Sequence, residues 1–192
     1  LTLAGDGSKV VVAWSQSVSG RTQIYLREYN GGTWSGLGGS ASGNGLSGTT
    51  IGQATAASVA YLAGTLFAAW QDNTSGHNEI YAAKFDGNNW IEAGENSKTG
   101  GGVSNSHGDA TLPQLAANSG QLHLLWADNR LANLTGNTTA IYTKSWNGLS
   151  FAEELPGDAS HRGIGNMIGA AGTPALAVDG AGHPFVAWSE TV

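Results

Sequence analysis

The chain reads as an all-β protein, a β-propeller of four-stranded antiparallel blades. Three observations predict it. Trp14, Trp70 and Trp126 are evenly spaced, since 70 − 14 = 56 and 126 − 70 = 56, and Trp188 follows after 188 − 126 = 62. Behind the first three comes an Ile-Tyr pair: Ile24-Tyr25, Ile80-Tyr81 and Ile141-Tyr142. Nine residues past each of these tyrosines stands another aromatic, Trp34, Trp90 or Phe151. A repeat slightly longer than 50 residues, built from short apolar runs and tight turns, fits stacked four-stranded units. A β-solenoid is the rival, but its rungs are shorter and carry no hairpin at a fixed place.

The elements follow in order. In the first unit Leu1–Ala4 and Lys9–Trp14 flank a Gly5-Asp-Gly-Ser8 turn, which predicts a hairpin. Thr22–Tyr29 is a third strand, with Ile24, Leu26 and Glu28 on one face. Asn30-Gly31 is a tight-turn signal, because both residues tolerate positive φ. Trp34 lies on a short fourth strand. The second unit repeats the scheme with Ala57–Leu62, Leu66–Trp70, Glu79–Phe85 and Asn89–Glu92. The third offers Pro113–Ala117, Gln121–Trp126, Thr139–Trp146 and then Phe151. A fourth begins with Pro174–Val178 and Pro184–Trp188. No stretch holds a sustained 3.6-residue apolar period, so no α-helix is expected. The blade boundaries fall at about 1–53, 54–110, 111–172 and 173–192 of a single propeller segment.

Three and a half blades do not close a ring, and an open arc leaves apolar flanks and strand edges in water. The segment is therefore expected to be part of a larger ring, within a longer chain or completed by copies of itself. Long connections join successive units near 36–53, 94–111 and 155–173. Each holds a glycine, an aliphatic and a small residue: Gly45-Leu46-Ser47, Gly102-Val103-Ser104 and Gly163-Ile164-Gly165. The aliphatic is expected to plug the gap between blades and anchor the loop.

Composition narrows the function. The 192 residues include 30 glycines and no cysteine, so thiol catalysis and cysteine-based zinc sites are excluded. Only eight Lys and Arg are set against 14 Asp and Glu, and a formal charge of −6 argues against nucleic acid. No apolar run reaches the length of a membrane-spanning helix. Asn73, Asn133 and Asn137 head glycosylation-like sequons, a pattern that short polar loops produce readily.

The motifs Pro174-Ala-Leu-Ala177, Ala69-Trp-Gln-Asp72, Gly76-His-Asn-Glu-Ile-Tyr81 and Asp86-Gly-Asn-Asn-Trp90 resemble the repeats of secreted bacterial and archaeal β-propellers of the sialidase-like and lectin-like superfamily. That resemblance covers nearly the whole chain and implies an extracellular or cell-surface location. It implies the blade more than an activity. The arginine triad of sialidases is not recognisable in Arg21, Arg27, Arg130 and Arg162. Nor is an intact Asp box present: Asp86-Gly87 lies four residues before Trp90, one short, and Asn30-Gly-Gly-Thr-Trp34 replaces the Asp.

Asp72 and Asp128, with Glu190 and Gln16, stand two residues past each Trp. They read either as a ring of ligands or as acceptors for the amides of the turn between second and third strands. Recurrence in every blade favours the second. Trp14, Trp70, Trp126, Trp188, Tyr25, Tyr81 and Tyr142 are structural repeat positions. The acids Glu92, Glu95, Glu153 and Glu154 read as solvated, His123 as packed on a strand, and Asp6 and Asp179 as turn residues, so no metal site and no cofactor are expected. In a propeller the turns between second and third strands share a face with the long connections. This brings His77, His107, Asp109, Arg130, His161 and Arg162 together as a candidate ligand-binding face. One unit is also five residues longer between Trp126 and Ile141 (141 − 126 = 15, against 80 − 70 = 10), within 131–139.

The residues favour a non-enzymatic module of a secreted or surface protein that binds a glycan or protein partner, or serves as a spacer. Two alternatives stand beside it. One is a fragment of a sialidase-like glycoside hydrolase whose catalytic residues lie outside the segment. The other is a structural protein that closes its ring by self-assembly.

Overall fold

A computed structural model describes residues 1–131, 139–165 and 169–191. Among them are three complete four-stranded antiparallel sheets and no α-helix. Blade 1 comprises β1 (Thr2–Gly5), β2 (Val10–Val18), β3 (Arg21–Tyr29) and β4 (Trp34–Ser35). Blade 2 comprises β5 (Ala54–Leu62), β6 (Thr65–Asp72), β7 (Glu79–Phe85) and β8 (Trp90–Glu92). Blade 3 comprises β9 (Ala110–Asn118), β10 (Gln121–Asp128), β11 (Ala140–Trp146) and β12 (Phe151–Ala152). In each, the sheet order is the chain order. The last strands are β13 (Ala170–Ala171), β14 (Ala175–Val178), β15 (Pro184–Ala187) and β16 (Glu190–Thr191), pairing β13 with β16 and β14 with β15. A 3-10 turn, Gly163–Gly165, sits in the third connection. The extra residues of the longer unit, together with Asn133 and Asn137, lie outside the described residues except for Leu131 and Thr139.

The first strands begin earlier than the apolar pattern predicts. β5 starts at Ala54 rather than Ala57, and β9 at Ala110 rather than Pro113. The cause is a bulge. Ala56 and Leu112 take positive φ (52° and 56°), and the pairing register slips beside each. A bulge turns the alternation over, so the residues before it carry no continuous pattern. The pairs β13–β16 and β14–β15 are the same two strands in the fourth unit, interrupted at the corresponding place.

Adjacent blades meet through their first strands and their flanks. Leu115 N donates to Ser58 Oγ at 2.9 Å, and Leu176 N to Gln114 Oε1 at 2.9 Å. Between blades 2 and 3, Phe67, Ile80, Leu122, Leu124 and Trp126 pack with Tyr142 and Phe151. Between blades 1 and 2, Val11, Ile24 and Leu26 pack with Val59, Leu66 and Trp70. Burial of such side chains contributes about 1.5–3 kcal/mol apiece. Within each blade the repeated Trp stacks on the repeated Tyr, with ring centroids 6.0, 6.3 and 6.0 Å apart.

The long connections are latched to their own third strand. Val103 N donates to Ile80 O at 2.7 Å and Ala82 N to Ser97 O at 2.8 Å; Leu46 and Ile24, and Leu26 and Ser40, repeat this in blade 1. The latch satisfies the half of β7 that the short β8 leaves unpaired. Gly102 must be glycine, because it has φ +62° and a Cβ there would lie 2.3 Å from Ile80 O. Tyr25, Tyr81 and Tyr142 donate their hydroxyls to Gly43, Gly100 and His161 carbonyls. Leu46 and Val103 are buried, and Ile164 packs partly buried against blade 3, each filling its gap as expected.

The aromatics of the short fourth strands differ in burial. Trp34 is 47% exposed, although its counterpart Trp90 is half-buried. Trp90 Nε1 donates to Leu37 O of the preceding connection. Trp34 meets the Tyr29 ring, 5.4 Å between centroids.

Candidate functional site

The face carrying the turns between second and third strands is built by hydrogen bonds that acids accept. Thr74 N and Oγ1 both donate to Asp72 Oδ1, at 2.8 and 2.6 Å. Arg130 N donates to Asp128 Oδ1 at 2.8 Å, and Ser106 Oγ to the same oxygen at 2.9 Å. In blade 1 the corresponding Gln16 accepts instead from Trp14 Nε1 at 3.1 Å. These acids thus serve turn amides that would otherwise lack partners.

A second buried set was not legible as a site. Glu79, 1% exposed, accepts from Ser106 N at 3.0 Å and from Ser104 Oγ, tying β7 to the second connection. Gln23 holds Ser47 Oγ and Thr49 N in the same way one blade earlier. The signal was a polar residue directly before Ile24 and Ile80, opposite the recurring serines of the connections.

The structure brings three of the six candidate residues together around this second connection. His77 Nε2 lies 2.9 Å from Glu79 Oε1 and 3.0 Å from Ser106 O. Burial opposes protonation of its ring, but the Ser106 carbonyl and the Glu79 carboxylate outweigh it and raise the pKa. Asp109 accepts from Asn78 N at 2.9 Å. Arg130 points inward: its Nε and Nη2 donate to Asp128 Oδ2 at 3.0 and 2.6 Å, and Nη1 to Ala159 O at 3.1 Å. Its guanidinium also covers the Tyr142 ring at 4.3 Å. Burial pushes the Tyr142 hydroxyl up to about 12, with Arg130 acting against it and Asp128 adding to it. His107, His161 and Arg162 are exposed. His161 and Arg162 line a shallow groove of about 590 Å³ with Leu131 and Pro156, apart from the His77 cluster.

The cleft that sequence reasoning missed lies between blades 1 and 2 on this same face. It encloses about 470 Å³. Its walls are Ser47, Thr49 and Thr50 of the first connection, Thr74 and Ser75 of the turn, and Lys98 to Gly100 of the second connection. Trp70, Tyr81 and Asp72 form the inner end. Asp72 is its one carboxylate. Lys98 Nζ is held by Trp90 O at 3.1 Å, and burial lowers its pKa.

Other acids and histidines serve the scaffold. Glu92 accepts from Asn96 N at 3.1 Å and Glu153 from Ala159 N at 3.0 Å. Buried His123 bridges Gly182 O at 3.1 Å and Ser145 Oγ at 2.8 Å. Asp6 and Asp179 cap their hairpin turns, accepting from Lys9 N and His183 N. Among the described residues no three His, Asp or Glu side chains group as metal ligands.

No family model and no curated protein sequence matches the chain. Solved structures do match in fold. An α-L-arabinanase of Penicillium chrysogenum is similar at a TM-score of 0.55 and 14% identity, over 93% of this chain and 53% of that one. An endo-arabinase of Bacteroides thetaiotaomicron gives 0.54 and 14%, over 97% and 68%. A GH32 β-fructofuranosidase of Bombyx mori gives 0.53 and 12%, over 96% and 41%. The all-β propeller fold is thereby shown. The chain spans about half the length of the first of these structures. At such identities the likeness is one of fold alone.

Proposed function

We propose that this segment is a non-catalytic binding module that presents its loop face to a polar ligand of a secreted or surface environment. The cleft between blades 1 and 2 carries the reading. It offers hydroxyls, aromatic rings and one carboxylate, which is equipment for binding. Glycoside hydrolysis canonically uses two carboxyl groups flanking one scissile bond, and Asp72 is the one carboxylate lining this cleft. The acids at the junction of blades 2 and 3, Glu79, Asp109 and Asp128, are engaged in holding backbone amides.

A glycan is the first ligand class. Support comes from the fold neighbours, whose names include arabinanases and a β-fructofuranosidase. The test is calorimetric titration with arabino- and fructo-oligosaccharides, run beside an assay for released reducing sugar. Saturable heat without sugar release is expected; turnover by this segment would overturn the reading. A protein partner is the second class, and one internal comparison favours it.

A further inference from the structure

The three blades make the same pocket and fill it differently. The residue four past the repeated Trp is Val18, Thr74 or Arg130, and the residue two past it is Gln16, Asp72 or Asp128. In blade 3 the space above the Trp126–Tyr142 stack is occupied by the protein's own guanidinium. Among the described residues that group has four contacts: Asp128 Oδ2, Ala159 O, Ser104 O at 3.4 Å, and the face of Tyr142. Blade 2 has the counterparts of all four. They are Asp72, Lys98, Ser47 and Tyr81, residues that all line the cleft. The alignment follows from shared hydrogen bonds. Ser97 O and Asp158 O each accept from the third strand, and Gly100 O and His161 O each accept the tyrosine hydroxyl.

Thr74 is too short to reach this space, so the cleft stays open where Arg130 closes its sister. Thr74 N and Oγ1 both bond Asp72 Oδ1, and Thr74 Oγ1 also meets Thr49 Oγ1 at 2.5 Å, while among the described residues no donor is bonded to Asp72 Oδ2. Asp72 is nonetheless buried, so its charge is poorly screened by water. A buried carboxylate beside an aromatic face and two carbonyls is a receptor for a planar cation. The Lys98 ammonium, bonded to Trp90 O, is the opposing charge at the rim.

We infer that the cleft between blades 1 and 2 is a seat for a guanidinium, the arginine side chain of a protein partner, held by Asp72, the Ser47 and Lys98 carbonyls and the face of Tyr81. This rests on reading the segment as a binding module and assigns the chemistry of its ligand.

The probe is Nα-acetyl-arginine amide, titrated into the intact protein and followed by backbone and indole amide resonances. Shifts are expected at Thr74, Gly100 and the Trp70 indole N–H. The neutral citrulline analogue should bind at least about tenfold more weakly, the scale of one charge-assisted hydrogen bond. Asp72→Asn, which keeps an acceptor for the turn, should weaken the arginine probe by a similar factor. Thr74→Arg should fill the seat from within and abolish the shifts. Arg130→Thr should open the sister seat and add a second set of shifts near Tyr142. Equal binding of citrulline, or arginine shifts that survive Thr74→Arg, would overturn the assignment. Shifts at these resonances with arabino-oligosaccharides but not with arginine would also overturn it, while leaving the binding-module reading intact.

Discussion

The latch of each long connection onto its own blade can be tested at one atom. Gly102 approaches Ile80 so closely that an added Cβ would sit 2.3 Å from the carbonyl oxygen and 3.2 Å from the Tyr81 ring. Gly102→Ala therefore carries two penalties. Positive φ in a residue with a Cβ costs about 1–2 kcal/mol. Relief of the clash moves Val103 away from Ile80 O, losing a 2.7 Å hydrogen bond of about 1 kcal/mol and part of the burial of Val103. The total is about 3–4 kcal/mol. Gly64→Ala is the control, since Gly64 has φ +80° but nothing within 4 Å of a new Cβ. It carries only the backbone penalty. Urea unfolding followed by tryptophan fluorescence reads the difference; with a slope of about 2 kcal/mol per molar, the midpoints should separate by about 1 M. Equal midpoints for the two variants would refute the latch.

Three further outcomes follow from the same geometry. Trp126→Ala, which empties a fully buried site stacked on Tyr142, should cost about 3–5 kcal/mol in the same unfolding assay. Asp128→Ala should cost about 3–5 kcal/mol because it strands the Arg130 guanidinium, whereas Asp72→Ala loses only the turn cap, about 1–3 kcal/mol. His77 has a folded pKa raised by Ser106 O and Glu79, so its protonated form stabilises the protein below the unfolded value, about 6.5, and that contribution fades as pH rises through the folded value. The melting temperature relative to His77→Gln should therefore drop as pH rises above about 6.5.

Much of the scaffold was legible because aromatic residues leave a strong period. Trp70 and Tyr81, like Trp126 and Tyr142, have no substitute in packing a blade flank, and the Asn30-Gly31 and Asp86-Gly87 turns fix the hairpins between them. The early starts at Ala54 and Ala110 were hidden by bulges that use Ala56 and Leu112 where a glycine would have signalled positive φ. The meeting of His77, Asp109 and Arg130 followed from blade topology. The cleft did not, since its existence depends on the length of one side chain, Thr74 against Arg130, and each reads alone as an ordinary turn residue. Glu79 was equally silent, because a buried carboxylate is recognisable only once the connection that donates to it is in place.

Amide hydrogen exchange of the intact protein tests the stacked-blade arrangement most directly. The amides of Leu46 and Val103, bonded to Ile24 O and Ile80 O, and of Leu115, bonded to Ser58, should exchange as slowly as those of β6 and β10. Exchange at these three sites as fast as at the Gly31 and Gly87 hairpin tips would mean that the connections are not latched and the blades do not meet as described.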